Sequence, residues 1–124
     1  MNNSQIDRLI YDGNQMLQRA LEEVNRPAED VACLAVCQGT KLSMDNFLKG
    51  FLLKNNIDPE SLNTIRDRYE KCLILDPELK AINIYTLDCI DEDKCGMSEY
   101  CLSVEKVSEC IAIAENLRNK IVMA

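Results

Sequence analysis

Residues 28–55 read AEDVACLAVCQGTKLSMDNFLKGFLLKN. Pro27 precedes the run, and Glu29 and Asp30 stand at its start. Proline fits a first helical turn, and acids there complement the helix dipole. Asn55-Asn56-Ile57-Asp58-Pro59 closes the run. The stretch therefore predicts one helix about 42 Å long at 1.5 Å rise per residue. Its apolar residues fall on two sides. Cys33, Val36, Cys37, Met44, Phe47, Leu48 and Phe51 form one stripe; Leu34, Leu42 and Leu52 form another. A helix apolar on two sides has to be covered on two sides. It is expected to be either the central helix of a bundle or the seam of a dimer, with Leu34, Leu42 and Leu52 facing a twin subunit or partner. Gly39 and Gly50 lie inside it, where each costs about 1 kcal/mol relative to alanine. Such glycines admit a neighbouring helix or mark a kink; close approach is the favoured reading.

Helical grammar continues on both flanks. Before the central run, Ile6, Leu9, Ile10, Leu17, Leu21 and Val24 trace one stripe over about residues 4–24, and Ser4 with Asp7 resembles a start cap. After it, Asp58-Pro59 opens a third predicted helix carrying Leu62, Ile65, Tyr69, Cys72 and Leu73. Asp76-Pro77 opens a fourth, carrying Leu79, Ile82, Thr86, Cys89 and Ile90. A polar stretch over 91–101 leads to Ser103, the cap of a fifth helix with Val107, Cys110, Ile111, Ala114, Leu117 and Ile121. With only four glycines and three prolines, turn signals are too few for a many-stranded β protein. The expectation from these patterns is one all-α domain over residues 1–124 with five amphipathic helices. A chain of this length can bury a substantial core.

Net charge is −7, and the imbalance is local. Between residues 88 and 115 stand eight acids and two lysines, whereas between 41 and 80 the signs balance at seven each. A nucleic-acid binder should show a basic face, so nucleic acid is not the expected partner. No apolar run approaches the roughly 20 residues that span a bilayer, and no basic-then-apolar leader is seen. A cytoplasmic location with no membrane partner is expected. Seven cysteines in a reducing compartment should then be mostly free thiols.

The segment CIDEDKCGMSEYC, residues 89–101, spaces Cys89, Cys95 and Cys101 six apart. Zinc ligands usually come two to four apart on one turn, so inert thiols are the favoured reading and a Cys-based metal or redox module the minor one. Cys33 and Cys37 share a helix face but continue into the Met44–Phe47–Phe51 stripe, and are assigned to the core. The chain has no histidine. That removes Ser-His and Cys-His nucleophile pairs and any imidazole base. No glycine-rich phosphate loop occurs. No catalytic residue, metal or cofactor is assigned, and the balance leans away from an enzyme.

The runs Asn46-Phe47-Leu48-Lys49-Gly50-Phe51-Leu52-Leu53 into Asn55-Asn56-Ile57, Lys71-Cys72-Leu73-Ile74-Leu75-Asp76-Pro77-Glu78-Leu79, Leu102-Ser103-Val104-Glu105-Lys106-Val107 and Ala112-Ile113-Ala114-Glu115-Asn116-Leu117 resemble the HEPN domain family over about residues 28–122. The resemblance implies an all-α, up-and-down bundle of four to five helices that dimerises and is often associated with minimal nucleotidyltransferases. Many members of that family are ribonucleases with an Arg followed by a His. Here only Arg118 stands in the late part and no His exists, so that pair does not carry over. What remains implied is a non-catalytic accessory or binding domain that partners or regulates a nucleotidyltransferase. The alternative is a nucleotide- or RNA-binding sensor, for which Lys41, Lys49, Arg66 and Arg68 are the available cations.

Overall fold

A computed structural model of the chain describes residues 3–84 and 103–122. Four helices pack together: α1 (Asn3–Val24), α2 (Cys33–Lys54), α3 (Ile65–Leu75) and α4 (Val104–Val122), with no strand among the described residues. The all-α class and the helical bundle agree with the sequence reading. α2 is the central element and packs on α1, α4 and α3, while α1 also meets α4. Leu17, Met44, Phe47, Leu48, Tyr69, Leu79, Val107 and Leu117 are among the buried side chains of one shared core.

The seating of α1 on α2 rests on two glycines. A Cβ added at Gly13 would lie 2.8 Å from Phe47 Cε1, so the ring fits only because that position carries no side chain. Ser43 Oγ donates a 2.7 Å bond to the Gly13 carbonyl in the same place. One turn further, Gly50 leaves room for Ile10, whose Cδ1 would stand 3.0 Å from an added Cβ. The pairs Gly13–Phe47 and Ile10–Gly50 run the two helices antiparallel.

α2 is shorter than the sequence predicts. Residues 28–30 form a separate 3-10 turn, and α2 begins only at Cys33. Glu23 on α1 supplies the reason: its Oε2 accepts from the Ala32 N–H at 2.9 Å. This bond holds Ala32 outside helical geometry (φ −82, ψ 79) and keeps the Glu23 carboxyl below the usual range. The predicted 42 Å rod is thus about 33 Å over its 22 residues. It ends as expected: Asn56 adopts φ 63, Ile57 N–H reaches Leu52 O at 2.9 Å, and Asn56 N–H reaches Leu53 O at 3.0 Å. That is a left-handed helix stop with an asparagine in the glycine position.

The two Asp-Pro starts also need correction. Asp58 caps a 3-10 turn at Pro59–Ser61, not a helix. The α3 helix instead starts after Thr64, whose Oγ1 accepts from Asp67 N–H at 3.0 Å. Asp76 likewise caps a 3-10 segment, Pro77–Ala81. Tyr69 holds that segment down: its hydroxyl donates to Ile82 O at 2.6 Å, with Leu79 O at 3.2 Å. The predicted fourth helix is therefore not α-helical through residue 84, and its Thr86, Cys89 and Ile90 lie outside the described residues. The same holds for Cys95 and Cys101. Ser103 does precede α4, its Oγ accepting from Lys106 N–H at 3.4 Å.

Gly13→Ala is expected to lower stability by about 1–3 kcal/mol, because the methyl group overpacks against Phe47. Gly39→Ala meets no described residue within 4 Å and is expected to raise stability by up to about 1 kcal/mol. Thermal melts of both variants in dilute solution check the opposite signs.

Candidate functional site

Besides a shallow hollow of about 650 Å³ around Pro77, Lys80, Ile82 and Lys120, two deeper concave regions lie on the described surface. The first is a groove of about 340 Å³ where α1 meets the N-terminal half of α2. Met16, Arg19, Ala20 and Glu23 form one wall; Ala35, Val36, Gly39 and Leu42 form the other. Leu42 stands 54% exposed and Leu34, two turns back, 38%. The second, about 470 Å³, lies at the far end of the bundle. Ile10, Tyr11, Phe51 and Ile121 line it, with Asp7 and Lys54 also on its wall. The cations and thiols singled out in the sequence line neither one.

Leu34 and Leu42 lie on the outer face, as their spacing suggested. Leu52 does not: it is 0% exposed within the single chain. The cause is α3, which packs along the C-terminal half of α2. Arg68 binds Asp45 there, and the Cys72 thiol sits 3.8 Å from Leu48 O. α3 spans only 11 residues, and the outer surface at Leu34 and Leu42 remains exposed.

The four candidate cations do not form a phosphate cradle. Arg68 is 8% exposed and grips Asp45 with both arms, Nε to Oδ1 at 2.6 Å and Nη2 to Oδ2 at 2.9 Å. Its Nη1 donates to Leu62 O at 2.7 Å. Lys49 lies 3.7 Å from the same Asp45 and 4.0 Å from Glu60. Two of the four thus converge, but on the carboxylate of Asp45, with Glu60 also beside Lys49. Lys41 stands two turns away on α2, at about 12 Å along the axis, and Arg66 is half-buried in the first turn of α3. This bidentate pair joins α2 to α3; it is an element of the fold.

The described thiols are similarly structural. Cys37, Cys72 and Cys110 are buried and Cys33 is half-buried, and none of the four is in a disulfide. Burial pushes the Cys72 thiol up to about 12, far from the thiolate needed for reactivity. Among the described residues, no group of three His, Cys, Asp or Glu side chains is placed to hold a metal ion. No described helix is long and apolar enough to cross a membrane.

No family model, curated protein or solved structure matches the chain.

Arg68→Ala is expected to cost about 3 kcal/mol in a urea titration, since it strands a largely buried carboxylate beside only Lys49. Lys41→Ala should stay within about 0.5 kcal/mol of wild type. Alkylation of the native protein followed by peptide mapping should modify Cys33 before Cys37, Cys72 or Cys110. Early labelling of Cys72 would contradict the burial described here.

Proposed function

We infer that the protein is a non-catalytic helical accessory domain that works by docking another polypeptide on the outer face of α1 and α2. The observation that carries this reading is Leu42: a large apolar side chain, half exposed, on the wall of a groove whose other residues are mainly small or apolar. Exposed apolar surface gathered at a concavity is a mark of interaction sites. The HEPN resemblance points the same way, implying a twin subunit or a nucleotidyltransferase as the occupant.

Energetics bound the proposal. Covering the exposed parts of Leu34 and Leu42 is worth on the order of 1 kcal/mol each. Association costs at least about 4 kcal/mol. The two leucines are therefore anchors of a larger contact that includes the groove walls. The nucleotide-sensor reading gains nothing from Lys49 and Arg68, whose charges are already committed to Asp45.

A photoreactive leucine analogue placed at position 42, in cells producing the chain, is expected to crosslink it to a discrete polypeptide. The same analogue at exposed position 29 should not. No adduct from position 42, or equal yields from both positions, would overturn the reading.

A further inference from the structure

We propose that Glu23 is a latch that holds the central helix about one turn short. When its carboxylate lets go of the Ala32 N–H, residues 28–32 wind onto α2, and Val31 moves from the core to the outer face beside Ala35 and Leu42. This device belongs to the single chain and operates whether or not anything docks on the groove.

The short and long forms of the helix lie close in backbone geometry. Only Val31 and Ala32 separate the 28–30 turn from α2. Their φ values, −72 and −82, already fall in the helical range. Their ψ values, 124 and 79, are what differ from the helical value of about −42. Pro27, at φ −51 and ψ 140, already has the extended conformation of a residue that precedes a first helical turn. Two ψ rotations therefore join the turn and the short helix into one helix over residues 28–54. Residues 25–27 are exposed and take up the change in chain direction.

The backbone bonds of the short form are poor at this junction. Asp30 N–H reaches Pro27 O at 2.8 Å, but Val31 N–H reaches Ala28 O only at 3.4 Å, and Cys33 N–H turns back two residues to Val31 O at 3.1 Å. Winding replaces them with the regular ladder, Val31 to Pro27, Ala32 to Ala28 and Cys33 to Glu29. The local sequence suits that ladder. Ala28 and Glu29 are good helix formers, and Glu29 and Asp30 would stand in the first turn, where acids complement the dipole. No residue of the 28–30 turn is buried, so no core contact holds the turn itself.

Two contacts oppose the winding. Glu23 Oε2 accepts from Ala32 N–H at 2.9 Å, and Arg26 Nη1 lies 3.2 Å from the same oxygen. The Ala32 bond, then Arg26, keeps the Glu23 carboxyl below its usual range, so the acceptor is a charged carboxylate. Hydrogen bonds to ionised groups are roughly twice as strong as neutral ones. The second contact is Val31, which packs half-buried against the core. On a continuous helix positions 31, 35 and 42 share one face, so winding carries Val31 outward. Without the Glu23 bond, the Val31 contact alone stands against the ladder.

Backbone 13Cα chemical shifts, which report helix residue by residue, test the latch in the full chain at neutral pH. Wild type is expected to show non-helical values at Val31 and Ala32. In Glu23→Ala, residues 28–32 are expected to move to helical values, a gain of about one turn, while α3 and α4 keep theirs. Adding Ala32→Pro to that variant is expected to abolish the gain. A φ of −82 lies close to proline's own and the extended Val31 suits the position before it, but proline has no N–H for the ladder and breaks a helix interior. Glu23→Gln keeps the size and an acceptor but not the charge. It is expected to give a partial shift in the same direction, and it decides the matter if the alanine variant misfolds. Wild-type shifts at residues 28–32 in the folded variant overturn the latch, as does a helical gain that survives Ala32→Pro or a wild type already helical at Val31 and Ala32.

Discussion

The fold depends on the contact between Phe47 and Gly13. Phe47 is fully buried, and its ring occupies the volume where any other residue at position 13 would place a Cβ. This fixes how closely α1 can lie on α2. The Ser43 hydroxyl, bonded to the Gly13 carbonyl, pins the same level, and Ile10 over Gly50 repeats the arrangement near the end of α2. With α1 so placed, α4 finds a trough that takes Val107, Cys110, Ala114, Leu117 and Ile121. A core formed this way leaves no buried side-chain nitrogen or oxygen without a partner among the described residues. Thr40, buried in the middle of α2, bonds back to Val36 O at 2.7 Å.

Much of this architecture could be read from periodicity and punctuation, and the failures have physical causes. The two-sided apolar pattern of α2 correctly marks a helix covered by several neighbours. Its start was misplaced because Pro27-x-Glu29-Asp30 is equally good grammar for a 3-10 turn. What decides between them is Glu23, nine residues from Ala32, and local pattern cannot reveal that. Asp58-Pro59 and Asp76-Pro77 carry the same ambiguity: an acid cap followed by proline stabilises one turn whether or not a helix continues. The Thr64–Asp67 pair was a legible cap that the stronger Asp-Pro signal obscured. Leu34 and Leu42 were read correctly as outward; Leu52 shares their spacing but falls where α3 lies. Arg68 looked like surface charge because its partner, Asp45, is 23 residues away.

The groups that first suggested chemistry have ordinary roles where they are described. Arg68, Asp45 and Lys49 form a small charge network between α2 and α3. Removing water from such a pair costs free energy, which the bidentate geometry and the additional bond to Leu62 O offset. Cys72 and Cys110 fill core volume as small apolar side chains do. Tyr69 is in the core with its hydroxyl turned to backbone carbonyls, and burial raises its pKa accordingly. At the other end of the 3-10 segment, Lys120 of α4 reaches Glu78 at 2.5 Å, so that residues 76–82 are held from two sides. Polar side chains here chiefly tie short, irregular segments to long helices.

Coverage of α2 is therefore unequal along its length. In the C-terminal half, α3 lies across the outer side, Leu52 is inside, and Gly50 is accounted for by Ile10. In the N-terminal half the same helix keeps its apolar inner stripe, Val36 and Cys37 in the core, while residues 31–40 carry no charge, Leu34 and Leu42 are exposed, and no described residue comes within 4 Å of a Cβ added at Gly39. A solvated helix face ordinarily gains solubility from charge and stability from alanine-like residues; this one has neither advantage at Gly39. Among the described residues, α3 packs along the C-terminal half of this helix, and Leu34 and Leu42 in the N-terminal half stay exposed.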